Sequence, residues 1–189
     1  MTASCSIVTL QLSQCYFFAH WDGKMKEKWK IYWVKYRAYV LTVIITALIC
    51  NDVIAFYNIK SASMEPTLMT GDVVIYNRLA YVTGTPARGD IIAFRREGNT
   101  WGKRVIGIAG DVVSFADGDV YVNGSRLDES AYLDASVRTY CNRTFTVPDN
   151  CIFVLGDNRM ISNDSRFWDK PFVSCDDVVA GYLCTVPIP

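Results

Sequence analysis

The longest apolar run of the sequence predicts a membrane-spanning helix. Residues 38–59 form a 22-residue run whose only charged side chain is Asp52. A helix of that length, at roughly 1.5 Å per residue, crosses a bilayer core of about 30 Å. Asp52 lies past the midpoint of the run, where an interface hydrates a charge more easily than the bilayer centre does. We therefore predict a transmembrane helix over residues 38–59.

The residues before this run carry the charges that orient such a helix. Residues 24–37 hold six basic side chains and one acidic one, with Trp29, Tyr32, Trp33 and Tyr36 between them. A basic flank with interfacial aromatic side chains is typical of the cytoplasmic side of a membrane helix. Two alternatives share part of this pattern, a cleaved secretory signal and a buried core helix. The anchor hypothesis predicts a single pass through an inner or plasma membrane with the N-terminus in the cytoplasm.

A second candidate start precedes the basic run. Residues 1–23 are rich in Ser, Thr, Gln and Cys and fit neither helical nor strand periodicity, whereas Met25 stands at the head of the basic run. Initiation at Met25 would omit His20. The predicted organisation is a basic cytoplasmic segment over residues 1–37, with 1–24 interpreted as a non-native start, then the transmembrane helix over 38–59 and an extracytoplasmic β-domain over 60–189.

From Lys60 onward the pattern changes to short apolar or alternating runs separated by turn residues. Val, Ile, Phe and Tyr dominate these runs, and Gly-Asp, Asn-Gly and Pro bound them, which indicates strands and hairpins. The segment DVYVNG at residues 119–124 is the clearest hairpin element, because Asn-Gly supplies the positive φ angles of a tight turn. We expect a mostly β domain of antiparallel sheets behind one N-terminal helix.

The distribution of charge and the histidine content exclude several classes of function. Residues 1–57 carry a formal charge of +3 and residues 58–189 carry −3, so the body lacks the basic surface typical of nucleic-acid binding. The one histidine is His20, near the N-terminus. The body therefore has no histidine for a general base, a zinc site or a Ser-His-Asp triad. No Cys-x2-Cys spacing occurs. We therefore expect no metal, no other cofactor and no nucleic-acid partner.

Without a histidine, a serine nucleophile needs another base. A lysine qualifies when burial lowers its pKa toward neutrality. Of the three lysines in the body, Lys103 is the best placed, because apolar neighbours at alternate positions of WGKRVIGIAG can bury it on a strand. Taken alone, Lys103 is more consistent with the ordinary solvent-facing lysine of an edge strand. Taken alone, Ser61 and Ser63 are likewise consistent with a linker behind the apolar run.

Four segments follow the apolar run in one order: SASMEPTL, RGDIIAF, KRVIGIAGD and GDNRMISNDSR. Together they resemble the successive motif boxes of the type I signal peptidases, the bacterial leader peptidases that use a Ser-Lys dyad. Eight of the eleven positions of the last segment match GDNR..S.DSR. The resemblance covers residues 38–181 and implies a compact signal-peptidase-like β-domain with serine endopeptidase activity.

The resemblance implies a role for each matching residue. It makes Ser63 the nucleophile, Lys103 its general base and Ser61 a donor in the oxyanion hole, where preorganised groups stabilise developing charge. In the last segment, Ser162 matches the serine that orients the lysine, and Asp164 and Arg166 match a supporting ion pair. The Gly-Asp-Asn at residues 156–158 is interpreted as a tight turn near the site.

The partners implied by the resemblance are preprotein signal peptides with small-x-small cleavage sites, bound as an added strand, and membrane lipid. Two other functions stay open at this point. One is a specialised processing peptidase of a conjugation or pilus system with the same dyad. The other is a non-catalytic membrane-tethered binding domain.

The body also contains four cysteines, Cys141, Cys151, Cys175 and Cys184. An extracytoplasmic location permits disulfides, and four cysteines allow three pairings. The sequence does not choose among these pairings, and a body without a disulfide is the alternative.

Overall fold

The computed structural model describes residues 28–48, 50 and 52–188. The chain divides into two compact units, residues 1–50 and residues 51–189. In the first unit, helix α1 (Lys28–Leu48) is long and apolar enough to cross a membrane, and its apolar window buries no side chain. Tyr32 and Tyr36, four residues apart, stack with ring centroids at 6.2 Å. This pairing supports helical structure inside the basic flank.

The apolar run does not stay helical to residue 59, so the predicted end of the helix is wrong. Ile54–Asn58 form strand β1, in which Ala55 is buried and Phe56 is exposed. Such alternation suits a strand with one buried face. Antiparallel pairing of β1 with β2 (Val73–Asn77) satisfies its backbone groups. The error arises because an apolar stretch alone does not distinguish a helix from a buried strand.

The second unit is mostly β, which confirms the predicted fold class. Its other strands are β3 (Ile91–Arg96), β4 (Asn99–Gly107), β5 (Val112–Ala116), β6 (Asp119–Val122), β7 (Ser125–Arg126), β8 (Phe145–Thr146), β9 (Cys151–Leu155), β10 (Phe172–Ser174) and β11 (Val178–Val186). In the described residues, a seven-stranded sheet has the order β1-β2-β11-β3-β4-β9-β10 and a four-stranded sheet the order β7-β6-β5-β8. Every pairing is antiparallel.

Two-residue turns with positive φ at both positions join neighbouring strands. Asn123 and Gly124 connect β6 to β7 with φ angles of 53° and 78°. This confirms the hairpin predicted from Asn-Gly, since a tight turn of this kind needs two residues in the left-handed region. Glu97 and Gly98 connect β3 to β4 in the same way, with φ angles of 52° and 75°. The β3–β4 hairpin places Lys103 beside the core strand β3.

Strand β3 is buried on both faces. Ile91 and Ala93 belong to a core cluster that includes Met64, whereas Ile92 and Phe94 belong to a second cluster on the other face. Because both faces of β3 are covered, the part of β4 beside it is also shielded from solvent. A polar side chain placed there loses much of its hydration.

Candidate active site

Ser63 lies in a 3₁₀ turn, Ala62–Met64, directly after the extended residue Ser61. The buried side chain of Met64 anchors the turn in the core. The hydroxyl oxygens of Ser61 and Ser63 lie 3.2 Å apart. The two serines singled out in the sequence therefore lie together, and both line the same groove.

Lys103 lies in β4, paired with Ile92 of β3, and only 1% of its surface is exposed. Burial lowers the pKa of its amine to about 8, against the opposing effect of the carboxylates of Asp164 and Asp157. Within the described part of the chain, its Nζ makes neither a hydrogen bond nor an ion pair. An amine with this pKa has an accessible neutral form, so it can accept a proton.

Gly156 allows the backbone of Ser63 and the side chain of Ser162 to come close to the end of strand β9. The printed pairing of β4 with β9 ends at Arg104 and Leu155, and Gly156 is the next residue after β9. A Cβ on Gly156 would overlap the carbonyl oxygen of Ser63 and would lie 2.6 Å from the Cβ of Ser162. The backbone therefore needs a glycine at this position.

Ser162 is buried, and its hydroxyl has no partner. Its side chain is 2% exposed, and Oγ makes no hydrogen bond to any described residue. The hydrogen bond from Ser162 to Lys103 expected from the sequence is not formed in this structure, nor is one between Ser63 and Lys103. Buried hydroxyls are usually hydrogen-bonded. Ser162 thus has a free donor and acceptor beside Gly156, and its contact with Lys103 stays a prediction.

Asp164 and Arg166 form a buried ion pair. Nε and Nη2 of Arg166 donate to the two carboxylate oxygens of Asp164 at 2.8 and 2.9 Å. Asp164 Oδ2 also accepts a hydrogen bond from the backbone N–H of Gly156 at 3.1 Å. Arg166 in addition donates to the carbonyl oxygen of Arg159 at 2.9 Å. The pair therefore holds the loop of residues 156–166 in one shape.

Asp157 forms a second buried ion pair, which sequence reasoning missed. Its carboxylate accepts hydrogen bonds from Arg104 at 2.9 and 2.6 Å and from Thr67 at 2.6 Å. The guanidinium of Arg104 also packs on the ring of Tyr132, 3.9 Å from its centroid. The network joins the segment of Ser63, the strand of Lys103 and the Gly-Asp-Asn turn. The one sign of this ion pair in the sequence was the charged residue Asp157 inside the Gly-Asp-Asn turn.

A groove of about 460 Å³ opens beside Ser63. It is lined by residues 57–61 and 99–102, with Tyr76 and Ala93 behind them. Strand β4 pairs with β3 over residues 99–104 but meets β9 only from Arg104 onward. Among the described residues, the backbone of residues 99–103 therefore has one unpaired edge. A free strand edge is a site at which another extended chain can add.

Residues 28–48, 50 and 52–188 contain no group of three or more His, Cys, Asp or Glu side chains placed to hold a metal ion. His20 lies outside the described residues. The four cysteines of the body, Cys141, Cys151, Cys175 and Cys184, are free thiols. None of the three disulfide pairings open from the sequence is formed.

Known proteins of one family are similar to this chain. The profile of the family described as "Signal peptidase, peptidase S26" matches residues 30–185. The chain is 35% identical over 171 residues to signal peptidase I of Bacillus caldolyticus, which covers 82% of this chain and 90% of the relative. It is 37% identical over 145 residues to a probable signal peptidase I-2 of Synechocystis, covering 72% of this chain and 66% of that relative. A crystal structure of a signal peptidase I from Enterococcus faecalis V583 has 35% identity and a TM-score of 0.44, covering 52% of this chain and 97% of the other.

The chain belongs to the signal peptidase family, peptidase S26. It is thus a serine endopeptidase, a hydrolase that acts on the signal peptides of preproteins. This confirms the family and the activity predicted from the four ordered segments. Helix α1 is consistent with a membrane anchor.

Proposed function

We propose that Ser63 is the nucleophile and Lys103 the general base of this peptidase. The hydroxyl of Ser63 attacks the carbonyl carbon of the scissile peptide bond, and its proton passes to the neutral Nζ of Lys103. Lys103 then gives the proton to the departing amine, while the signal peptide stays bound to Ser63 as an ester. A water molecule that loses a proton to the same amine hydrolyses the ester and restores Ser63.

The observation that carries this proposal is the environment of Lys103. Its amine is buried, without a hydrogen bond or ion pair in the described residues, and has a pKa of about 8. A solvent-exposed lysine, with a pKa of about 10.4, is almost entirely protonated at neutral pH and accepts no proton. Burial therefore supplies the base that the chain otherwise lacks.

Three further groups support the dyad in this proposal. Ser61 donates its hydroxyl to the oxyanion beside the backbone N–H of Ser63, and its Oγ, 3.2 Å from that of Ser63, is close enough for this role. Ser162 uses its free hydroxyl to orient the amine of Lys103. The ion pair Asp164–Arg166 holds the loop that carries Ser162.

The substrate segment binds as an added strand in the groove. The unpaired edge of residues 99–103 offers backbone hydrogen bonds, and an extended peptide that takes them reaches Ser63 at the end of the groove. Alternate side chains of such a peptide point to the same face. At that face the side chain of Tyr76 closes the space beside Ala93 and Gly102, which favours the small-x-small pattern before the scissile bond.

Removal of either dyad side chain tests the mechanism. Full-length Ser63→Ala and Lys103→Ala in detergent should each lose at least about a thousandfold in kcat/KM on a preprotein, because both groups act in the same chemical step. Ser125→Ala and Lys170→Ala, which remove exposed side chains of the same types, serve as matched controls. Circular dichroism should show folded protein in all four variants. Near-normal cleavage by either dyad variant would sink the assignment.

We also propose a single-pass topology in an inner or plasma membrane, with the N-terminus in the cytoplasm, the body outside and membrane lipid around α1. The six basic residues of the flank before residue 38 support this orientation. A reporter that is active only outside the cytoplasm, fused to the C-terminus, should be active. Activity of a cytoplasm-specific reporter in the intact fusion would overturn the orientation.

A further inference from the structure

Tyr76 is a buried side chain whose hydroxyl reaches the groove and has no hydrogen-bond partner among the described residues. Its side chain is 2% exposed and lines the groove beside Ser63. Its ring is held edge-on by Tyr57, at a centroid distance of 5.7 Å, and by Tyr182, at 6.3 Å. Within the described residues, Oη makes no hydrogen bond. Burial raises the pKa of this phenol above its usual value. Oη therefore keeps its proton and can both donate and accept a hydrogen bond.

The hydroxyl of Tyr76 lies at the bottom of a notch between the small residues Ala93 and Gly102. Ala93 of β3 and Gly102 of β4 are directly paired, and a Cβ on Gly102 would lie 3.1 Å from Tyr76 Oη. Gly102 belongs to the unpaired edge of β4 and immediately precedes Lys103. A side chain of a bound peptide that enters this notch therefore meets a hydroxyl group after a short distance. Only a small substrate side chain fits in the notch. If that side chain carries a hydroxyl group, the hydroxyl can form the hydrogen bond that Tyr76 Oη lacks.

We infer that Tyr76 is a specificity-determining residue that recognises a serine side chain at one of the two inward-facing positions of the small-x-small segment. Oη of Tyr76 exchanges a hydrogen bond with the serine hydroxyl in the notch formed by Ala93 and Gly102. An alanine at the same position fits but leaves Oη unpaired. This inference rests on the proposed binding of substrate along the free edge of β4.

The test uses three side chains of graded chemistry. Peptides with Ala, Ser or 2-aminobutyrate at the first or the third position before the scissile bond are cleaved by the full chain in detergent. 2-Aminobutyrate matches serine in size but has no hydroxyl, so the ratio of kcat/KM for serine to that for 2-aminobutyrate isolates the hydrogen bond. At one of the two positions, wild type should have a ratio about three to ten times that of Tyr76→Phe.

Two variants complete the experiment. Tyr182→Phe removes a neighbouring hydroxyl that pairs with Thr185 at 3.1 Å and does not line the groove, so it should keep the wild-type ratio. Gly102→Ala puts a methyl group beside Oη and should lower the ratio as Tyr76→Phe does, which covers the case in which Tyr76→Phe fails to fold. Ratios for both Tyr76→Phe and Gly102→Ala equal to wild type at both positions would overturn the inference. Persistent cleavage by Ser63→Ala would instead overturn the proposed mechanism.

Discussion

The α-carbon of Gly156 packs against Ser162 so tightly that a Cβ on it would lie 2.6 Å from the Cβ of the serine. The same added carbon would overlap the backbone carbonyl of Ser63, whose oxygen accepts a hydrogen bond from the N–H of Asn158 at 3.1 Å. One glycine thus sets the spacing between the segment of Ser63 and the loop of Ser162.

Gly156→Ala should therefore damage both stability and catalysis. The added methyl group has nowhere to go without backbone movement, and overpacking of this kind costs about 1–3 kcal/mol of unfolding free energy. We expect turnover to fall by more than about tenfold, since small displacements of reacting groups are costly. Chemical denaturation and single-turnover cleavage measure the two effects. Gly84→Ala is the matched control, because an added carbon there meets no atom within 4 Å.

Activity should rise with pH through about 8. Burial lowers the pKa of Lys103 to about 8, and only the neutral amine accepts the proton of Ser63. Below that pH the neutral fraction, and with it kcat/KM, should fall about tenfold per pH unit, whereas above it the rate should level off. Rates of preprotein cleavage between pH 6 and 10 provide the measurement. A rate that stays constant from pH 6 to 9 would contradict a general base with this pKa.

Lys103→Met should stabilise the protein at neutral pH. The pKa of Lys103 in the folded chain, about 8, lies below its ordinary value of 10.5, so the unfolded state binds the proton more tightly and protonation favours unfolding. A tenfold difference in proton affinity corresponds to about 1.4 kcal/mol, which gives a gain of about 3 kcal/mol for the variant below pH 8. Met has a similar volume and no charge. Because the neutral lysine carries no such penalty, the gain should shrink between pH 8 and 10.5 in denaturation experiments, and a gain that grows with pH would contradict the sign.

Ser162→Ala should separate stability from catalysis. The hydroxyl of Ser162 has no partner in the described residues, so its removal leaves no buried group unsatisfied and the free energy of unfolding should not fall. If Ser162 orients Lys103, the chemical rate should nonetheless fall about 100- to 1000-fold. Substrate affinity, measured on a Ser63→Ala background, should be unchanged.

Ser165→Ala is a control that should lower stability without changing the pH dependence of cleavage. Its hydroxyl accepts a hydrogen bond from the backbone N–H of Val154 at 3.0 Å. Removal of that oxygen leaves a buried N–H without a partner and should cost about 1–3 kcal/mol of stability. The pH dependence of cleavage should stay that of wild type. If Ser162→Ala instead weakened affinity alone, Ser162 would be a substrate contact.

Local patterns predicted the fold well where the determinants are local. The Asn123–Gly124 turn and the β-rich body followed from alternation and turn residues. The end of the helix could not be predicted in this way. Ile54–Asn58 are apolar enough for a helix or a strand, and pairing with β2 makes them a strand. Pairing partners of this kind lie outside any local window.

The charged contacts around the site were hidden for the same reason. Asp157 joins Arg104 and Thr67, which lie 53 and 90 residues away in the chain. Arg159 pairs with Glu129 across 30 residues. No spacing rule links such positions. The candidate dyad residues could be named only because the ordered segments resemble a family, whereas the burial that changes the pKa of Lys103 required the structure.

The position of β11 has a consequence for how the protein is made. This strand is the last of the described strands, yet it lies in the interior of the seven-stranded sheet, between β2 and β3. The sheet therefore cannot close until β11 has been made, because β11 has not yet left the ribosome when β2 and β3 emerge. Pairing between such distant parts of a chain is slow to form. The peptidase should thus gain its folded active site only after β11 has been synthesised, and a chain cut short before β11 should be an inert protein rather than a weaker enzyme.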